Sequence, residues 1–392
     1  MSDVIDIPEG YKKTKVGIIP DSWNSIHLEE VCVVNGEYGI NAPSVEYSEN
    51  LPTYLRITDI DDNGNFLSSE KRSVNHPDSE KYLLKEGDIV FAGFLIRFRT
   101  NPERLIPYYL KLFSESNQYW YWVKITSQRS GQPGINGKEY SNLHIPLPPI
   151  REQQEITTIL GAWDKAIGHT QDIIDNLRLR NKGLAQQLLF GKQKLKDNSG
   201  EWQESFLGKF ARNINIRNKV GHGTEKLHAV TKKEGIIPMR EQVKGSSFNN
   251  CKIVRQNWFA YNPMRINIGS IALWNSPNEI MVSGDYVVFE CDETKLLPRY
   301  LEHLRKTNLW ENYMLIAGNG SVRVRIYFKD LAHFKFPLPP VDAQKAILNV
   351  LDKANEELEL FEKKLAALQE QKKGLMQKLL TGEIRVKTDN LK

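Results

Sequence analysis

The sequence predicts an α+β protein made by internal duplication, with two α/β domains separated by two long helices of coiled-coil pattern. Three observations carry that prediction. The phrase Pro146-Leu147-Pro148-Pro149-Ile150 recurs as Pro337-Leu338-Pro339-Pro340-Val341. From there the two copies run in parallel without a gap. Gln153 falls on Gln344, Ile156 on Ile347 and Leu160 on Leu351, and KGLAQQLLFG (Lys182 to Gly191) falls on KGLMQKLLTG (Lys373 to Gly382). Finally, each copy follows about 130 residues of mixed character, a normal size for one domain.

The long helices are read from their apolar spacing. Leu160, Trp163, Ile167, Thr170, Ile174, Leu177, Asn181, Leu184 and Leu188 recur at intervals of three and four. Leu351, Ala354, Leu358, Phe361, Leu365, Leu368, Lys372, Leu375 and Leu379 do so in the same register. So narrow a seam suits a partner helix better than a globular core. The prolines set each start, because proline is tolerated only at or before a helix's first turn. About 40 residues each gives ~60 Å at the helical rise. Gly191 and Gly382 are stop signals. Gly183 and Gly374 lie inside the pattern, where a close approach of backbones or a local kink would account for them. Asn181 and Lys372 occupy equivalent seam positions, either fixing register or snorkelling outward.

The expected organisation is a first domain over 1–145, a first helix over 146–192, a second domain over 193–336, and a second helix with a tail over 337–392. Asp88-Ile89-Val90-Phe91, Tyr286-Val287-Val288-Phe289 and Val322-Arg323-Val324-Arg325-Ile326 read as strands, while Pro107–Leu112 and Pro298–Leu304 read as helices. A weak frame is shared. Trp23 and Leu28 have counterparts in Trp202 and Leu207, and IPYYLKLF (Ile106 to Phe113) resembles LPRYLEHL (Leu297 to Leu304). Equal frames with divergent interiors suggest two related binding modules aimed at different targets.

Composition narrows the class. Lys plus Arg number 53 against 48 Asp plus Glu, a net charge of +5 that is compatible with a nucleic-acid partner without demanding one. Cys32, Cys251 and Cys291 form no CxxC pair, so neither a disulfide framework nor a zinc knuckle is expected. The N-terminus has no apolar leader core, and no stretch approaches ~18 apolar residues, so the expected location is cytoplasmic with no membrane partner. Enzyme motifs are scarce. There is no GxxxxGK(S/T) phosphate loop and no HExxH pair, and Asn262-Pro263-Met264 lacks the rest of an amino-methyltransferase motif. Asp285 with Glu293-Thr294-Lys295 matches a nuclease spacing only superficially. No catalytic, metal-binding or cofactor-binding residue is expected.

The order of these motifs resembles the specificity subunit of type I restriction-modification systems over nearly the whole chain. PLPP is followed by EQQEI (Glu152 to Ile156) and a helix ending LLFGK (Leu188 to Lys192), and the second PLPP by a helix ending KGLMQKLLTG. YLRITDI (Tyr54 to Ile60), LLKEGDIVFA (Leu83 to Ala92) and AVTKKEGIIP (Ala229 to Pro238) add to the likeness. The resemblance implies two target recognition domains, each reading one half of a split site in double-stranded DNA. It also implies an antiparallel coiled coil of the two helices, with pseudo-twofold symmetry, that sets the spacer. The implied partners are two methyltransferase (M) subunits carrying S-adenosylmethionine and two motor-nuclease (R) subunits using ATP and Mg2+. The chain itself would be non-catalytic. One departure stands out: Phe91-Ala92 run directly into Gly93-Phe94, where similar domains have a longer segment.

Base readout needs Arg, Lys, Asn or Gln that reach base edges. In the first domain Lys124, Ser127, Gln128, Arg129 and Gln132 supply such groups ahead of the first PLPP. Asn319, Ser321, Arg323 and Arg325 hold the same position ahead of the second. Further candidates are Lys232 and Lys233 after a strand, and Arg265 and Asn267, which alternate with Ile266 and Ile268 as on one strand face. Arg56, Arg97 and Arg99 are open to either DNA contact or salt bridges. Two competing functions are a duplicated coiled-coil adaptor that binds only proteins and an independent nuclease.

Overall fold

The computed structural model describes residues 7–61, 64, 66–67, 70–91, 95–128, 133–195, 200–219, 221–240, 248–317 and 325–387. The chain divides into two compact units. The first comprises Met1–Gln171 and Lys363–Lys392, the second Asp172–Glu362. Each unit therefore holds one mixed domain, the start of one long helix and the end of the other.

In the first unit the strand Asn24–His27 pairs antiparallel with His144–Leu147, tying the start of the domain to the PLPP turn. A three-stranded antiparallel sheet has Ile96–Thr100 between Cys32–Glu37 and Asp88–Phe91. Three helices follow: α1 (Pro107–Ser114), α2 (Asn117–Thr126) and α3 (Gly137–Ser141). Proline opens α1, as expected of a residue with no N–H to lose. The core gathers Trp23, Leu28, Phe98, Tyr109 and Ile145, with Phe91 stacked on Tyr140 at 4.2 Å. The first long helix, α4 (Ile150–Leu189), adds Ile156 and Leu160 to this core.

The second unit repeats the plan. Gln203–Phe206 pairs with Lys335–Leu338. A four-stranded antiparallel sheet runs in the order Ala211–Ile214, Val287–Cys291, Phe259–Tyr261, Ile271–Leu273. Helices α5 (Pro298–Leu304), α6 (Asn308–Ala317) and α7 (Phe328–Leu331) precede the second long helix, α8 (Val341–Thr381). Arg325 and Ile326, expected at the end of a strand, belong to none, and Val322–Val324 lie outside the described residues.

Within each unit the long helices pair antiparallel, since partner numbers fall as residue numbers rise. In the first, Arg385 meets Glu152 and Lys372 meets Asp164. In the second, Arg178 meets Glu362, Arg180 meets Glu357, and the Asn181 amide donates to the Ala354 carbonyl at 2.8 Å. Every expected apolar seam residue is buried or half-buried, with Leu160, Ile174, Leu177 and Leu351 among the most enclosed. The two polar seam residues reach across rather than out. The Lys372 ammonium is held by Asp164 at 2.8 Å and Glu115 at 3.0 Å. Gly183 and Gly374 have nothing near where a side chain would begin, so close backbone approach does not explain them.

Within each unit the long helix is bolted to its own domain by the same device. Gln153 is fully buried. Its oxygen accepts from the Ile106 N–H at 3.0 Å, and its amide donates to the Arg104 and Pro148 carbonyls, each at 2.9 Å. Gln344 makes the same three bonds with Leu297, Lys295 and Pro339. The far helix ends match as well. Gly191 and Gly382 close their helices at φ 65° and 72°, a backbone suited to glycine. A side chain at Gly382 would strike Pro20 at 2.5 Å, and one at Gly191 would press on Trp202.

Replacing Gln344 by leucine orphans one N–H and two carbonyls at about 1–3 kcal/mol each. The urea midpoint of the full chain is expected to fall with an unchanged m-value. An unaltered midpoint would show the bolt to be dispensable.

Candidate nucleic-acid interface

The second unit gathers residues from three separate stretches of sequence. Lys232 and Lys233 are exposed on the turn joining strands His228–Thr231 and Gly235–Pro238. Arg265 and Asn267 are exposed on the loop between strands Phe259–Tyr261 and Ile271–Leu273. The Ser270 hydroxyl bonds the Val230 carbonyl at 2.7 Å, linking the two loops. Lys232 lies so close to Gly269 that a side chain there would come within 3.0 Å of its Cγ. The Ile326 N–H donates to the Pro263 carbonyl at 3.0 Å, bringing exposed Arg325 to the same loop. Helix α6 packs on this loop as well.

The alternation expected at 265–268 is not a strand. Ile266–Ile268 forms a 3-10 turn closed by Gly269 at φ 99°, started by the Asn262 side chain accepting from the Met264 N–H. Only Ile266 is buried, while Ile268 faces outward beside Arg265 and Asn267. A tight turn has no two-residue periodicity, so the alternating letters misled. The two polar residues are nonetheless exposed together.

In the first unit Lys124 lies in the last turn of α2 and is exposed, Ser127 caps that helix, and Gln128 follows it exposed. This stretch of candidate residues therefore begins as helix. Trp120, Tyr121 and Ile125 on α2 are exposed too. Arg129, Gln132, Asn319, Ser321 and Arg323 lie outside the described residues. The remaining arginines are paired: Arg56 with Asp59, Arg97 with Glu37, and Arg99 with Asp88 at 2.8 Å. Hydrogen bonding to Asp59 and Asp88 pushes the Arg56 and Arg99 guanidinium pKa values up. Their strand-like surroundings in sequence could not have revealed these partners.

Asp285 and Glu293 fall at opposite ends of the strand Val287–Cys291, and Glu293 accepts from the Asn257 amide. They do not converge as a nuclease would require. Among the described residues no group of three or more histidine, cysteine or acidic side chains could hold a metal. None of their helices is long and apolar enough to cross a membrane. The sequence reading overlooked Arg217 and Lys252, brought opposite each other across a short antiparallel bridge. Their spacing in the chain carries no periodic signal.

The family described as Type I restriction modification DNA specificity domain matches residues 20–179 and 224–370. The putative type I restriction enzyme MjaX specificity subunit of Methanocaldococcus jannaschii is 27% identical, over 97% of this chain and 98% of that protein. The MjaVIII specificity subunit of the same organism is 24% identical over 69% of this chain and 68% of its own length. Among solved structures, one described under complex assembly and conformational transition of the type I R-M system has a TM-score of 0.53. It is 17% identical and covers 93% of this chain and 99% of its own. The type I restriction-modification S subunit of M. genitalium has a TM-score of 0.52 at 14% identity, covering 91% of this chain and 96% of that one. The repeated frame and the two matched segments together place the chain in the type I restriction-modification DNA specificity family.

Proposed function

We propose that this chain is the non-catalytic, sequence-reading subunit of a cytoplasmic type I restriction-modification complex. Each domain reads one half of a bipartite DNA site, and the paired helices set the spacing between the halves. The observation that carries this reading is the convergence of Lys232, Lys233, Arg265, Asn267 and Arg325 around one pair of linked loops. Cations suit phosphates, while Arg265 and Asn267 carry the paired donors and acceptors that major-groove readout needs. In the first domain Lys124, Ser127 and Gln128 lie at the end of α2, ahead of the first PLPP turn. The partners are two M subunits, which bind S-adenosylmethionine and methylate adenine, and two R subunits, which use ATP and Mg2+. The helix pair offers them apolar footing, for Leu179 and Leu360 are 71% and 65% exposed.

The test is to map methylated adenines genome-wide in a host expressing this chain with its M partner. A bipartite methylated motif is expected, and unmethylated DNA together with no preference for specific over random duplexes would favour the protein-only adaptor. Arg265→Ala or Asn267→Ala should change one half-site and leave the other intact. Lys232→Ala should weaken binding to all sequences alike and lower the salt slope by about 1. Inserting matched residues into both long helices should lengthen the spacer while preserving both half-sites. Altered half-sites at constant spacing would end the ruler reading.

A further inference from the structure

Arg217 and Lys252 face each other in the second unit, and among the described residues neither has an ion-paired carboxylate. The Asn218 N–H donates to the Cys251 carbonyl and the Ile253 N–H to the Ile216 carbonyl, both at 2.9 Å. Those bonds flank Arg217 and Lys252, which makes them a non-hydrogen-bonded antiparallel pair, the arrangement with the closest side chains. Like charges so placed repel. Each cation spends one donor on a main-chain carbonyl, Arg217 on Asn250 and Lys252 on Tyr286. Space has been left for them. A side chain at Gly284 would come within 2.9 Å of the Arg217 guanidinium and 2.5 Å of the Asn250 oxygen.

Among the described residues the nearest opposing charge acts only at a distance. Burial and then the positive charge of Arg217 push the Lys252 pKa down, with only the field of Asp285 opposing. Two half-buried cations with donors to spare are costly to keep together unless an anion visits them. A phosphodiester oxygen carries the charge and the acceptors the pair lacks.

We infer that Arg217 and Lys252 form a seat for a DNA backbone phosphate, separate from the loops that carry Lys232 and Arg265. The inference rests on the DNA-binding reading above. The seat holds the duplex without reading sequence, because phosphates are the same at every step. Guanidinium and ammonium divide the work: the planar fork orients the phosphate, and the ammonium adds a point charge.

The test uses the full chain co-purified with its methyltransferase subunits, as wild type and as Arg217→Gln and Lys252→Gln. Binding to a short random-sequence duplex is measured across a salt series, alongside the thermal midpoint of each protein. The two substitutions together should lower the slope of log Kobs against log salt by about 0.9, the share of one phosphate contact, and each alone should lower it by part of that. The thermal midpoint should hold or rise, since either change relieves the repulsion. An unchanged slope with a lowered midpoint would mean the pair serves packing, and the inference fails. Inorganic phosphate is the second arm. If it raises the midpoint of wild type but not of the variants while the DNA slope stays the same, the seat is for a small anion and not for DNA. A wild-type complex that binds no duplex at all removes the DNA-binding reading, and this inference with it.

Discussion

The architecture hangs on a side-chain amide enclosed wholly by protein. Gln153 and Gln344 each have the oxygen and both amide hydrogens engaged by main chain. In each unit that one side chain ties three things together: the first turn of a long helix, the PLPP strand behind it, and the turn that opens α1 or α5. An apolar residue of similar size would fill the space and leave three backbone groups unsatisfied. The aim of each long helix relative to its own domain therefore follows from a hydrogen-bond pattern rather than from greasy contact, which is non-directional. Tyr109 and Tyr300 reinforce the same joint, their hydroxyls bonding the Pro146 and Pro337 carbonyls.

Around that shared joint the two units differ in where they bury charge. The Glu152 carboxylate is almost wholly enclosed, gripped by both Arg385 nitrogens and by the Trp23 indole N–H at 2.9 Å. Its counterpart in the second unit is Ala343, and the counterpart of Arg385 is Lys194. The seam repeats the contrast. Lys372 is held by Asp164 and Glu115, while its counterpart Asn181 is neutral and bonds a carbonyl. A carboxylate buried without its arginine is expensive, so Glu152 and Arg385 have to be kept or lost together. Both units obey that constraint. The result is a duplicated frame whose two joints are not interchangeable, because a helix end carrying Lys194 would meet Glu152 without the bidentate fork that Arg385 provides.

Much of this was legible in the letters, for physical reasons. Helices of such length announce themselves by apolar spacing, their starts by proline and their ends by glycine, and α4 and α8 span Ile150–Leu189 and Val341–Thr381 accordingly. The duplication exposed Gln153 and Gln344 as equivalents, although not what they bond. Antiparallel pairing came only through resemblance, since a heptad seam has no direction written in it. The candidate interface was harder. Lys232, Arg265 and Arg325 are distant in sequence, and it took Ser270 on Val230 and Ile326 on Pro263 to bring their loops together. Arg56, Arg97 and Arg99 were equally opaque, because whether an arginine meets a carboxylate is a tertiary fact.

The departure after Ala92 has a physical counterpart in the residues that flank it. Leu95 resumes the chain at φ 52°, a left-handed backbone that a leucine adopts at a cost of roughly 1–2 kcal/mol. Val90 and Leu95, on either side of the short connection, line an open cavity of about 430 Å³ with Tyr38, Tyr54, Tyr82 and Leu83. Phe66, Leu67, Leu83 and Leu84 are all at least 45% exposed around it. In the second unit the strands Phe259–Tyr261 and Ile271–Leu273 are buried throughout, while Met264 and Ile268 on the loop between them are exposed. The left-handed Leu95 therefore sits beside uncovered apolar surface, next to the point where Phe91 pairs with Ile96. The first unit thus leaves apolar surface uncovered beside its hairpin, although both units hang from the same glutamine joint.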